Sequence, residues 1–163
     1  MTPVYVRQGA QPYDAADANE CLKHVVDIRA GLDQSIALEK DDPSDPNLNG
    51  CVYTWGTNMW GDDQYEEAVG IADGWGLLGN ASDVNSSDTP VRVLSGEQDV
   101  GDPNSFLKHI VAVSAGWNHC MALENDDPWD PNLNDRVFMW GHNGQSWAMG
   151  AKKLDFKGFL LSS

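Results

Sequence analysis

Two acidic stretches are the residues of this chain whose types and spacing could do chemistry. They are Asp41-Asp42-Pro43-Ser44-Asp45-Pro46-Asn47-Leu48-Asn49 and Asp126-Asp127-Pro128-Trp129-Asp130-Pro131-Asn132-Leu133-Asn134. Asp41, Asp45, Asn47 and Asn49 fall at the first, fifth, seventh and ninth places of a calcium loop, and Asp126, Asp130, Asn132 and Asn134 do the same. Calcium takes about six to eight oxygens from such a flexible array. Two features depart from that template. Pro46 and Pro131 stand where a sharp-turn glycine belongs, and Val52 and Val137 stand where a bidentate glutamate belongs. The competing reading is a hairpin extension shaped by Asx turns and prolines, with Leu48 or Leu133 tucked against a sheet. Both readings stay open. No cofactor is required, and Ca2+ is the one candidate.

Other reactive residue types are poorly arranged for chemistry. Cys21, Cys51 and Cys120 have neither C-x-x-C nor zinc-site spacing. Cys21 and Cys51 could pair in an oxidising compartment; the alternative is free thiols. Cys120 adjoins His119, but neighbours on a strand point to opposite faces, so Cys120 is expected to pack as a small hydrophobe. His24 and His109 each follow a lysine and are expected to be solvated, and His142 has no evident partner. There is no Ser-His-Asp order, phosphate-cradling glycine loop or helical His-Glu motif. Glu66 and Glu67 are adjacent and read as a solvated acidic face. The expectation is a protein that is not an enzyme. Asn80-Ala81-Ser82 and Asn85-Ser86-Ser87 match glycosylation acceptors, which matters only in a secreted eukaryotic chain.

The chain has 163 residues, enough for one domain with a real core. Lys and Arg number 10 against 25 Asp and Glu, a net charge of −15. Such a chain repels phosphate, so no nucleic acid and no anionic membrane surface is expected as a partner. No apolar run approaches the roughly 20 residues of a membrane helix. The first residues lack the charged and apolar regions of a secretory signal.

The elements that must hold these loops come from an internal repeat. A shift of 85 positions carries Leu22-Lys23-His24-Val25-Val26 onto Leu107-Lys108-His109-Ile110-Val111 and holds without a gap to Asn58 and Asn143. Ala30-Gly31 falls on Ala115-Gly116, Ala37-Leu38-Glu39 on Ala122-Leu123-Glu124, and Trp55-Gly56 on Trp140-Gly141. Val26, Ile28 and Ala30 alternate with Asp27 and Arg29, a period of two that predicts a strand with its apolar side toward a core. Ser35–Leu38 and Cys51–Trp55 predict the next two strands. Thr2-Pro3-Val4-Tyr5-Val6 predicts a short strand opened by a proline and recurs as Thr89-Pro90-Val91-Arg92-Val93. A short helix is expected within residues 64–72. Four strands per repeat point to an all-β protein of the propeller type.

The series Val-x-Val-x-Ala-Gly-x-x-His-x-x-Ala-Leu, Val-Tyr-x-Trp-Gly-x-Asn, Gly-x-Leu-Gly and Thr-Pro-Val resembles the repeat of the regulator of chromosome condensation (RCC1) family. The resemblance covers most of the chain apart from insertions and tail. It implies a β-propeller fragment of about two four-stranded blades with long acidic loop insertions. Residues 1–20 would be the terminal strand of a preceding blade and a linker, 21–94 the first blade, and 95–163 a second, incomplete blade with a divergent tail. His119 holds the place where the family has a structural histidine, and Gln34 stands there in the first repeat. Family rings usually have seven blades, so an isolated pair leaves bare edges that favour self-association or a place in a larger propeller.

Seven tryptophans is a high number for this length. Trp55 and Trp140 are repeat positions expected to pack between blades. Trp60, Trp75 and Trp129 sit in loops and are candidate partner anchors, since aromatic residues dominate interface hot spots. With Asp62, Asp63 and Glu66 they would meet a protein partner of basic or mixed charge. The alternatives are guanine-nucleotide exchange on a small GTPase, the activity the resemblance brings with it, and a calcium-stabilised structural or surface segment.

Overall fold

The computed structural model describes residues 2–11, 21–58, 76–82, 84–102, 104–117, 119–125 and 135–141. Within them the chain is all-β. Strands β1 (Val25–Ala30), β2 (Gln34–Glu39), β3 (Val52–Thr57) and β4 (Ser86–Arg92) form one antiparallel sheet in the order β1-β2-β3-β4. Strands β5 (Ile110–Ala115), β6 (His119–Glu124) and β7 (Val137–Gly141) form a second, in the order β5-β6-β7. The only helical turn among the described residues is a 3-10 turn at Gly96–Gln98. None of their helices is long and apolar enough to cross a membrane. The helix expected within 64–72 lies outside the described residues.

The two sheets repeat one another in detail. Ala37 faces Tyr53 across β2 and β3, and Ala122 faces Phe138 across β6 and β7. Gly56, next to last in β3, and Gly141, last in β7, have φ of 106° and 108°, a conformation that L side chains rarely adopt. A Cβ on Gly56 would also strike the Asp33 carbonyl. The register slips once in each first strand, between Val25 and Asp27 and between Ile110 and Ala112. These β-bulges correct the simple alternation expected from the sequence. Val25, not Val26, shares a face with Ile28 and Ala30, while Val26 and Val111 turn outward and are exposed. Just before each bulge His24 and His109 take positive φ, 53° and 56°.

One strand expected from the sequence is not formed. Thr89–Arg92 lies in β4 because β3 is there to pair with it, through Tyr53 opposite Arg92 and Thr54 opposite Val91. Its counterpart Thr2–Val6 belongs to no sheet, and only the adjoining Arg7 makes an antiparallel bridge, to Cys21. Proline and β-branched residues suit an edge strand, but an edge needs a neighbour to hydrogen-bond.

The sheets share one core. Ile36, Leu38 and Val52 from one side of the first sheet pack with Ile110, Val113, Cys120, Ala122, Phe138 and Trp140 from the opposite side of the second. Burial of this apolar area is the main force holding the sheets together. Polar bonds fix their register. His109 N–H donates to the Asn49 carbonyl at 2.8 Å and Ile110 N–H to that of Gly50 at 3.3 Å. The Gln34 side chain donates to the Gly116 carbonyl at 3.1 Å, and Trp140 Nε1 to that of Leu77 at 3.2 Å.

Candidate functional site

The acidic loop 41–49 bridges β2 and β3 and is closed by its own hydrogen bonds. Asp41 pairs with Asn49, and Asp42 N–H donates to the Leu48 carbonyl. Ser44 gives both its N–H and its hydroxyl to Asp42 Oδ1, and Asn47 gives its N–H and side-chain amide to Asp45 Oδ1. These are Asx turns, in which the carboxylate caps the backbone two residues on. Lys40 donates to Asp42 Oδ2 at 2.8 Å. That bond, with those from Ser44, holds the Asp42 carboxyl well below the usual carboxylate range. Of the four candidate calcium ligands here, Asp45 serves the turn, and Asn49 Oδ1 lies 2.9 Å from the Cys51 thiol. Asp41 Oδ2 lies 3.1 Å from His109 Nδ1. Among the described residues no three His, Cys, Asp or Glu side chains group as a metal site. Leu48 is half-buried. His109 keeps a side chain that is 41% exposed, as expected, and Asp41 also ties it across the junction of the two sheets. Asp126, Asp130, Asn132 and Asn134 lie outside the described residues.

A second arrangement escaped sequence reasoning. Each sheet buries one glutamate, Glu39 and Glu124. Gln11 donates to Glu39 Oε1 at 3.0 Å and to the Lys23 carbonyl, and its own carbonyl accepts from Lys23 N–H. Gln98 repeats this with Glu124 at 2.9 Å and with Lys108. Gln11 and Gln98 stand 87 positions apart, two out of step with the main repeat, which hid them. The cue was Gly9-x-Gln11 and Gly96-x-Gln98, following the two Thr-Pro-Val segments. The rest of each clamp differs. Arg136 donates to both oxygens of Glu124 at 2.8 Å, and that carboxylate raises the Arg136 pKa. Cys51 stands in its place in the first sheet, where the Tyr53 hydroxyl donates to Glu39 Oε1 at 3.1 Å. Glu39 Oε2 is left buried without a donor. The Tyr53 hydroxyl is held well above its ordinary pKa by burial. The clamps tie each second strand to the segment that precedes its sheet.

All three cysteines are free. Burial pushes the Cys51 thiol up to about 11 and that of Cys120 up to about 12, with Gln34 beside Cys120 acting in the opposite sense. Neither offers a thiolate at neutral pH.

Two features among the described residues stand out as surfaces able to meet a partner. Trp117 projects from the turn between β5 and β6 and is 72% exposed, with Leu32 exposed at the same place in the first sheet. Trp117 was not among the anchors expected from the sequence. Trp60, Trp75, Trp129, Asp62, Asp63 and Glu66 lie outside the described residues. The other surface is an open apolar cavity of about 500 Å³ on the first sheet, lined by Tyr5, Val6, Val25, Ile28 and Trp55 among others. Trp140 is buried between the sheets, over Leu77 and Gly79, whereas its counterpart Trp55 is only half-buried and faces this cavity. No protein-family model matches the chain, and no curated protein matches it.

Proposed function

We propose that the two sheets are successive blades of an RCC1-like propeller and that the chain is a non-enzymatic protein-binding module. One observation carries the reading: register, bulge, positive-φ sites and glutamate clamp recur from sheet to sheet, and the sheets stack front to back rather than pairing face to face. Repeats that stack this way present their turns along a common rim, where loops vary and bind. The rim that carries the β2–β3 loop is acidic at Asp42 and Asp45, and the opposite rim carries the exposed Trp117 at the β5–β6 turn. Trp60, Trp75 and Trp129, with Asp62, Asp63 and Glu66, are the proposed anchors for a protein of basic or mixed charge.

The test is affinity capture followed by interferometry against the captured partner with Trp60, Trp75, Trp117 and Trp129 each changed to alanine. A hot-spot tryptophan contributes at least about 2 kcal/mol, so at least one variant should weaken binding roughly thirtyfold. Equal affinity for all four variants would remove the proposal. Association should also slow as salt is raised, because a −15 chain steers a basic partner through the field it projects.

A further inference from the structure

Among the described residues one inter-sheet interface is formed, and half of a second is open on the far side of each sheet. Val93, next to the end of β4, and Leu107, Val113 and Trp140 are buried at the junction of the two sheets. Their counterparts Val6, Leu22, Ile28 and Trp55 line the open cavity, with Ile28 64% exposed. Conversely, Ile36, Leu38, Val52 and Thr54 are buried where the second sheet docks. Their counterparts Met121, Leu123, Val137 and Met139 lie on the outer side of the second sheet, with Val137 56% exposed.

The sheet edges show the same imbalance. β4 closes the first sheet beside β3, but among the described residues nothing closes β7. Thr2–Val6, the counterpart of Thr89–Val93, belongs to no sheet, and Val4 and Tyr5 are 87% and 83% exposed. Among the described residues, the unpaired segment Thr2–Val6 and the unpaired side of β7 thus have matching register.

We propose that a second copy of this chain supplies both missing halves. Residues 2–6 of one copy lie antiparallel along β7 of another as its fourth strand, and the open face of the same copy closes over Met121, Leu123, Val137 and Met139. The first sheet dictates the register. Tyr53 opposite Arg92 and Thr54 opposite Val91 become Phe138 opposite Tyr5 and Met139 opposite Val4. The bond from Val93 N–H to the Val52 carbonyl becomes one from Val6 N–H to that of Val137. A copy is the occupant because the surface needed is the one already seated, within the chain, on the equivalent face. Such an interface is head-to-tail and propagates to a ring or an open array. It rests on the repeat register alone and not on the rim tryptophans.

Sedimentation velocity across a concentration series tests this with Ile28→Asp, which spoils the donating end, and Val137→Asp, which spoils the accepting end. Both sites are exposed, and circular dichroism with a thermal melt confirms that each variant folds. The wild-type chain should associate as concentration rises. Each variant alone should be monomeric, and an equimolar mixture should form a dimer and nothing larger, because one intact end of each kind remains. A wild-type chain that stays monomeric at its highest soluble concentration overturns the proposal. So does loss of association with only one variant and no rescue on mixing, which marks a symmetric contact instead. Association unchanged in both variants overturns it equally.

Discussion

Glu39 and Glu124 hold the same place in their sheets but depend on different donors, and this difference can be measured. Glu124 is fully buried and leans on Arg136, whose side chain is 38% exposed. Arg136→Met strands a buried carboxylate and is expected to cost about 3 kcal/mol, the lower end for breaking a buried pair because the arginine is partly in water. Tyr53→Phe removes one neutral donor from Glu39 and leaves Gln11, so about 1 kcal/mol is expected. Urea melts of the two variants, compared at equal m-value, check the order. The thiols give a second prediction. Cys21 is half-buried and should react with a thiol reagent in the native state, whereas Cys51 and Cys120 should react only on unfolding. Both buried pKa values are raised, so the folded chain keeps protons that the unfolded chain releases from about pH 8.5 upward. Stability should therefore fall as pH rises from there toward about 11 and 12, where the folded thiols ionise, and be insensitive to these groups below it. A thermal melt series in alkaline buffers, repeated on Cys51→Ala and Cys120→Ala, reads the effect.

At the scale of elements, the acidic hairpin extension separates into two parts. Asp41, Asn49 and Gly50 hold the second sheet through His109 and Ile110, while residues 43–48 close a turn upon themselves. Replacing 43–48 with a short Asp-Gly turn should change stability by no more than about 0.5 kcal/mol, as for surface changes that touch no buried group. Asp41→Ala should cost more than that replacement because it loosens the junction. Calorimetry with Ca2+ and a melt with chelator belong to the same experiment. The β2–β3 turn is already satisfied by its own donors, so the melting temperature should be the same with either. A rise with Ca2+ that is lost in Asp45→Ala would favour the calcium-loop reading.

For the whole molecule, Trp55 and Trp140 are one residue type at one repeat position with two fates. Trp140 is 2% exposed and spans the interface to reach Leu77, so Trp140→Ala should cost about 3–5 kcal/mol. Trp55 faces the open cavity, and Trp55→Ala in dilute solution should cost well under half as much, because most of that ring's burial awaits a neighbour. Thermal melts at low concentration compare the two directly. If Trp55 proves as costly as Trp140, its side of the first sheet is already covered in solution.

The sequence by itself determined that the described residues are all-β and repetitive and where seven strands run. Alternation of apolar residues, Gly56 and Gly141 at strand ends, and a gapless 85-residue shift are local signals that survive without tertiary context. They missed Val26, whose outward turn depends on a bulge that only pairing with β2 reveals. They missed Gln11 and Gln98, because the segments that reach back to clamp Glu39 and Glu124 obey a different spacing. They also assigned a strand to Thr2–Val6 that only a paired neighbour can realise. Which face is buried, which histidine is tied to an aspartate and which tryptophan is covered were decided by the stacking of one sheet on the next. A strand encodes its two sides in its own residues, but what lies against each side is a property of the assembled chain.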